Sequence, residues 1–258
     1  MTSLLHQMAF QQFTDMSLRP RIRRKKICPM KQIPNCGDER TLSFCAFCGG
    51  ETGTKDHCPS KVFLDEPYPR NLPEVQACRK CNLSFALHEE YVACLVSCVI
   101  AGSTDPELSP RPKTNRILRD KPKLRAMLEQ ARSQTDGKTS FIPDHGRVSS
   151  VFVKLAQGHA LYELHELCAR PPDELFFSPL ELLSRRDASR FEASADAAVW
   201  PEAGSRALQR LVTTGSGAVH FNWINVQPGR YRYCASAGIG IEIRIVINEY
   251  LACFAMWK

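Results

Sequence analysis

The sequence predicts an α+β chain in which a small zinc-clamped module precedes a separate small α+β domain, and three observations predict it. Two C-x₂-C pairs, Cys45-Ala-Phe-Cys48 and Cys78-Arg-Lys-Cys81, are separated by 29 residues. Leu87, Tyr91, Cys94, Leu95, Cys98 and Val99 recur at helical spacing. Near the end of the chain Ile241, Ile243, Ile245 and Ile247 alternate with Glu242 and Arg244, the period of a half-buried strand.

Taken in order, residues 1–40 read as a poorly ordered basic arm, broken by Pro20, Pro29 and Pro34, with a short helix around Leu4–Phe13. Residues 41–102 form the cysteine-bearing module, whose amphipathic helix starts near Leu83 and stops at Gly102. Residues 103–140 form a basic stretch: a proline-rich linker over Ser103–Pro112, then a helix over 113–134. Residues 141–258 form the second domain. Its expected helices are Val151–Leu167 and one or two within Pro172–Arg190, and its strands Val219–Gln227, Tyr231–Ser236 and an alternating run over Ile239–Trp257.

Of the 258 residues, 43% are hydrophobic and 24% charged, which excludes wholesale disorder, a coiled coil and a collagen-like repeat. The longest apolar run, Val92 to Gly102, falls short of the roughly 20 residues that cross a bilayer, so no membrane partner is expected. MTSLLHQMAFQQF lacks the basic start and apolar run of a secretory signal, and a cytoplasmic location is expected. The net charge of +7 is uneven: residues 1–40 carry a local +5 and residues 110–140 a local +6, on a slightly acidic remainder. Two basic segments of this kind point to a polyanion partner, and a solvated tail and helix face are the plainer account of the same charges.

Twelve cysteines in a chain of this length, without a secretory signal, read as metal ligands rather than a disulfide framework. Each C-x₂-C pair can place two thiolates on one tetrahedral ion, so Cys45, Cys48, Cys78 and Cys81 are the expected ligands of a structural zinc. An all-sulfur shell also suits iron. Cys94 and Cys98, four apart on an apolar helix face, are expected in the core.

Between and after the pairs stand Lys55-Asp56-His57-Cys58-Pro59, Pro69-Arg70-Asn71-Leu72 and Cys81-Asn82. In that order these elements resemble the HNH, or ββα-metal, endonucleases in their zinc-containing treble-clef form, with Asn in place of the last His. The resemblance covers Cys45 to about Tyr91, under a fifth of the chain. It implies a metal-dependent endonuclease that hydrolyses DNA phosphodiester bonds. His57 would be the general base, Asn71 would hold the hairpin loop, and Asp56 and Asn82 would bind a catalytic Mg²⁺ or Mn²⁺. Lys61 and Arg79 would contact nucleic acid, and Glu89 or Glu90 could orient a ligand. The C-terminal domain would recognise a regulatory ligand or protein, or form a homodimer. A subset of such nucleases serves in anti-phage defence. The alternative is a non-catalytic zinc treble clef that binds nucleic acid or protein, since this fold serves many functions. The sequence carries no Walker loop, G-x-S-x-G or H-E-x-x-H motif.

Overall fold

In the computed structural model the described residues are 10–11, 39–196, 200–213 and 220–258. The expected arm over residues 1–40 therefore lies almost wholly outside them. Phe10–Gln11 is a short strand, β1, where the sequence suggests helix. The fold is mixed α+β, with helices and antiparallel sheets. Two compact units divide the chain: one takes in β1 and Leu87–Val148, the other residues 39–86 and Ser149–Lys258.

In the first unit the helix α1, Arg79–Ala101, enters from the second unit and buries a continuous run from Tyr91 to Val99, Cys94 and Cys98 included. The sequence places its start at Leu83; the structure places it directly after Cys78, with Asn82 N–H bonded to Cys78 O at 3.0 Å. At 23 residues, with a mean hydropathy of 1.5 in its most apolar window, α1 has the length and composition to cross a bilayer. That exceeds the apolar run read from the sequence, yet 56% of the window is buried within the protein, as in a core helix, so length and composition alone do not make α1 a membrane span.

The expected single basic helix over 113–134 is two helices, α2 (Pro112–Asp120) and α3 (Pro122–Gln130). Pro122 cannot supply the N–H that a continuous helix needs, and it starts the second helix instead. The hairpin β4 (Arg132–Thr135) and β5 (Lys138–Phe141) follows, and β1 pairs with β5 to complete a three-stranded sheet. Asp136 and Gly137, both at positive φ, form its turn, where an Asp-Gly pair tolerates the left-handed backbone. The helix α4, His145–His159, leads back to the second unit.

The second unit contains the hairpin β2 (Thr54–His57) and β3 (Glu74–Ala77), paired so that Asp56 opposes Val75 and His57 opposes Glu74. After α4 a π-turn, Ala160–Leu164, ends at His165 with φ of 64°. Pro172–Arg190 contains a helix, as expected, with a strand ahead of it. It forms the strand β6 (Glu174–Pro179) and then the helix α5 (Arg185–Glu192), N-capped by Ser184, whose Oγ accepts from Asp187 N–H. The strands β7 (Ala195–Asp196) and β8 (His220–Phe221) pair, flanking the helix α6 (Arg206–Thr213).

The main sheet adds β9 (Ile224–Gln227), β10 (Tyr231–Ala237), β11 (Ile241–Ile247) and β12 (Leu251–Trp257). Its order is β6-β12-β11-β10-β9, antiparallel throughout. The run Ile239–Trp257 is two strands joined by a turn at Asn248 and Glu249, both left-handed. Simple alternation fails in β11: Ile243, Ile245 and Ile247 are buried, but Arg244 and Val246 are buried too, because the sheet is covered on both faces at this strand.

Candidate metal centre

The first C-x₂-C pair sits in a tight knuckle. Cys45 N–H donates to Gly50 O at 2.8 Å, Gly49 N–H donates to Cys45 O at 2.9 Å, and Gly49 takes φ of +71°, a backbone that side chains resist. Ala46 N–H then donates to Gln76 O at 2.8 Å, which fixes the knuckle to strand β3. The second pair straddles the start of α1, and Cys81 N–H points at Cys78 Sγ at 3.3 Å. That N–H lowers the Cys78 thiol to about 7, while burial raises the Cys81 thiol. Ala46, Phe47, Val75 and Ala77 form the apolar floor, with Phe85 edge-on to Phe47 at 5.3 Å.

The four cysteine sulfurs lie within 4.8 Å of one another, and Cys48 Sγ is 3.9 Å from Cys78 Sγ. A disulfide needs about 2.05 Å, so these are not bridged. Four thiolates at about 2.3 Å from one ion form a tetrahedron with edges near 3.8 Å, which this cluster fits. The four-cysteine cluster can therefore coordinate a structural zinc ion. Its shell is all sulfur, and four thiolates complete a tetrahedron with no position left for water.

The expected catalytic centre is overturned by the surroundings of its residues. Among the described residues the four cysteines are the one group of His, Cys, Asp or Glu side chains arranged to hold a metal. Asp56 Oδ2 is 2.9 Å from the ammonium of Lys154, which is wholly buried in α4. Lys154 also donates to Ser60 Oγ at 2.7 Å and lies 5.7 Å from the Phe47 ring centroid. A fixed cation thus already neutralises Asp56 and would repel a divalent ion there. Asn82 is spent differently: its Nδ2 donates to Thr54 Oγ1 and Lys55 O, both at 3.2 Å, tying α1 to the hairpin.

His57 is half-buried, with Nδ1 3.5 Å from Glu74 Oε1, a loose pairing that leaves Nδ1 without a hydrogen bond. Burial, then the nearby Lys61, holds its pKa below the ordinary histidine value. Asn71 lies in the turn before β3, Lys61 is exposed 5.7 Å from the Tyr68 ring, and Arg79 is the first residue of α1. Glu90 is ion-paired with Lys121. The nuclease reading, its hydrolase and DNA-cleaving role, and the separate Mg²⁺ or Mn²⁺ centre are therefore corrected to an all-cysteine structural site.

Lys154 is not legible in the sequence as a partner. It lies 98 residues from Asp56 in an otherwise apolar helical stretch, and no local pattern links the two. The same holds for a second buried polar network in this unit. Glu163 accepts from Tyr233 Oη at 2.5 Å and from Arg210 Nε and Nη2 at 3.1 and 3.2 Å. His159 stacks on Tyr233 at 3.6 Å and meets Tyr231 Oη through Nε2 at 2.8 Å.

Comparison with family models, curated proteins and solved structures returned no match.

Proposed function

We propose that this chain is a non-catalytic binding protein built on a treble-clef-type zinc module, in which the metal holds a hairpin to the head of α1 and performs no chemistry. The observation that carries this reading is the pairing of a closed four-sulfur shell with an Asp56 carboxylate already occupied by buried Lys154. In such a module the Zn²⁺ would be held by Cys45, Cys48, Cys78 and Cys81, and it would supply folding free energy to a region with little core of its own. Asp56, His57 and Asn82 then belong to the scaffold: Asp56 ties the hairpin to α4, and Asn82 ties it to α1.

A protein partner suits the head of α1. Leu83 in its first turns is 66% exposed, and such an apolar side chain suits a protein surface better than a phosphate backbone. The test is incubation of the purified protein, and of His57→Ala, with plasmid DNA and Mg²⁺ or Mn²⁺. The binding-module reading predicts no cleavage that depends on His57. Metal-dependent nicking by the parent that disappears in His57→Ala would overturn it.

A further inference from the structure

The four cysteines of the cluster are unequally placed. Cys45 is wholly buried, and its N–H and carbonyl are both used inside the knuckle, by Gly50 O and Gly49 N–H. Cys78 and Cys81 are half-buried, Cys81 within the first turn of α1. Cys48 is the one of the four that is exposed to solvent. Gly49 and Gly50 follow it directly, and a Cβ on Gly50 would stand 3.5 Å from Cys48 Sγ. With glycine there, that side of the sulfur carries no covering side chain.

The sulfur 3.9 Å from Cys48 belongs to Cys78, the residue that joins β3 to α1. Oxidation of a cysteine starts at an exposed thiolate, and a second sulfur beside it turns the first product, a sulfenic acid, into a disulfide before higher oxides form. Cys48 meets the first condition and Cys78 the second. The two sulfurs need to close only from 3.9 Å to about 2.05 Å. A disulfide between them would leave Cys45 and Cys81, two sulfurs where a structural zinc shell needs four.

We infer that Cys48 is a site of oxidation by hydrogen peroxide and Cys78 its resolving partner, so that oxidant empties the zinc site and loosens the join between the hairpin and the head of α1; this rests on the zinc-module reading above. The Cys48 thiolate attacks one peroxide oxygen. An S–O bond forms, the O–O bond breaks and hydroxide leaves, with Cys48 sulfur oxidised by two electrons and the peroxide reduced. The Cys78 thiolate then attacks Cys48 sulfur: the S–S bond forms, the S–O bond breaks and a second hydroxide leaves. Two thiolates and one peroxide thus give one disulfide and two hydroxides, each of which takes a proton from solvent. A thiol reductant reverses the change, and the reduced cluster can take up zinc again.

The test treats the zinc-loaded full chain with hydrogen peroxide, follows zinc release with a chromophoric chelator, and maps disulfides by mass spectrometry after the remaining thiols are alkylated. The expected result is loss of the zinc together with a Cys48–Cys78 disulfide, and recovery of zinc binding after reduction. Cys48→His supplies a nitrogen ligand in place of the oxidisable sulfur, and a Cys₃His shell also holds zinc. That variant should keep its zinc under peroxide that empties the parent. Zinc retained by the parent while its exposed thiol is oxidised overturns the inference. So does a disulfide that joins any other pair in the cluster, or zinc lost from Cys48→His at the parent's rate. The disulfide map of the parent decides the pairing even where the variant fails to fold. Failure of the zinc-module reading is distinguished by its timing: a protein without zinc before any peroxide is added overturns that reading and this inference with it.

Discussion

Lys154 illustrates how much one side chain can settle. A lysine with no exposed surface is costly to keep charged, and it is kept here by a carboxylate at 2.9 Å and a hydroxyl at 2.7 Å. Removing the lysine takes away the cation 2.9 Å from Asp56, whose side chain is only 12% exposed. Lys154→Met should therefore lower unfolding free energy by about 3–5 kcal/mol, read from urea denaturation. Lys154→Met combined with Asp56→Asn should recover most of that loss, because no uncompensated charge remains. A single variant as stable as the parent would show that the pair is not the lock described.

At the scale of elements, α4 is held against the hairpin by close approach as well as by charge. A Cβ on Gly158 would lie 2.6 Å from Cys58 Sγ and 3.1 Å from Cys58 Cβ, and that thiol already donates to Leu155 O. Two effects oppose each other in Gly158→Ala: a helix-propensity gain of about 1 kcal/mol and an overpacking cost of about 1–3 kcal/mol. Because Cys58 is fully buried and short, the clash should win, with a net loss measured by thermal or urea unfolding. In a Cys58→Ala background, where the sulfur is gone, the same substitution should be close to neutral. Sequence reading succeeds and fails at this scale for definite reasons. The knuckles and the buried face of α1 are legible because their signals are local: fixed cysteine spacing and a helical apolar period. β6 is not singled out in the sequence because Glu174-Leu-Phe-Phe has no alternation, and β6 gains its identity only by pairing with β12. The candidate active site misleads because the Asp56-His57-Cys58-Pro59 and Cys81-Asn82 elements serve the scaffold, while Lys154, which neutralises Asp56, comes from a distant helix.

For the whole molecule, acid should be the weak side. Burial holds the fully buried His159 well below its ordinary 6.5, with the Lys154 ammonium acting in the same direction. The ring packs between the hydroxyl of Tyr231 and the face of Tyr233. Unfolded, His159 takes a proton near pH 6.5; folded, it resists until much lower pH, so the unfolded state binds more protons in between. Its contribution is complete above about pH 6.5 and falls by about 1.4 kcal/mol per pH unit below it. His57, also lowered, adds to the same limb. Urea midpoints taken from neutral pH downward should decline, and His159→Gln should flatten that decline; identical pH profiles for the two proteins would contradict the assignment.

A metal held by four cysteines as a structural tie is measured most directly by metal content. Elemental analysis of purified protein should find one zinc per chain. Cys78→Ser should lose the metal and the folded hairpin, whereas Asp56→Asn, His57→Ala and Asn82→Ala should each retain full zinc. Zinc lost from His57→Ala as completely as from Cys78→Ser, or a parent protein that folds without zinc, would contradict it.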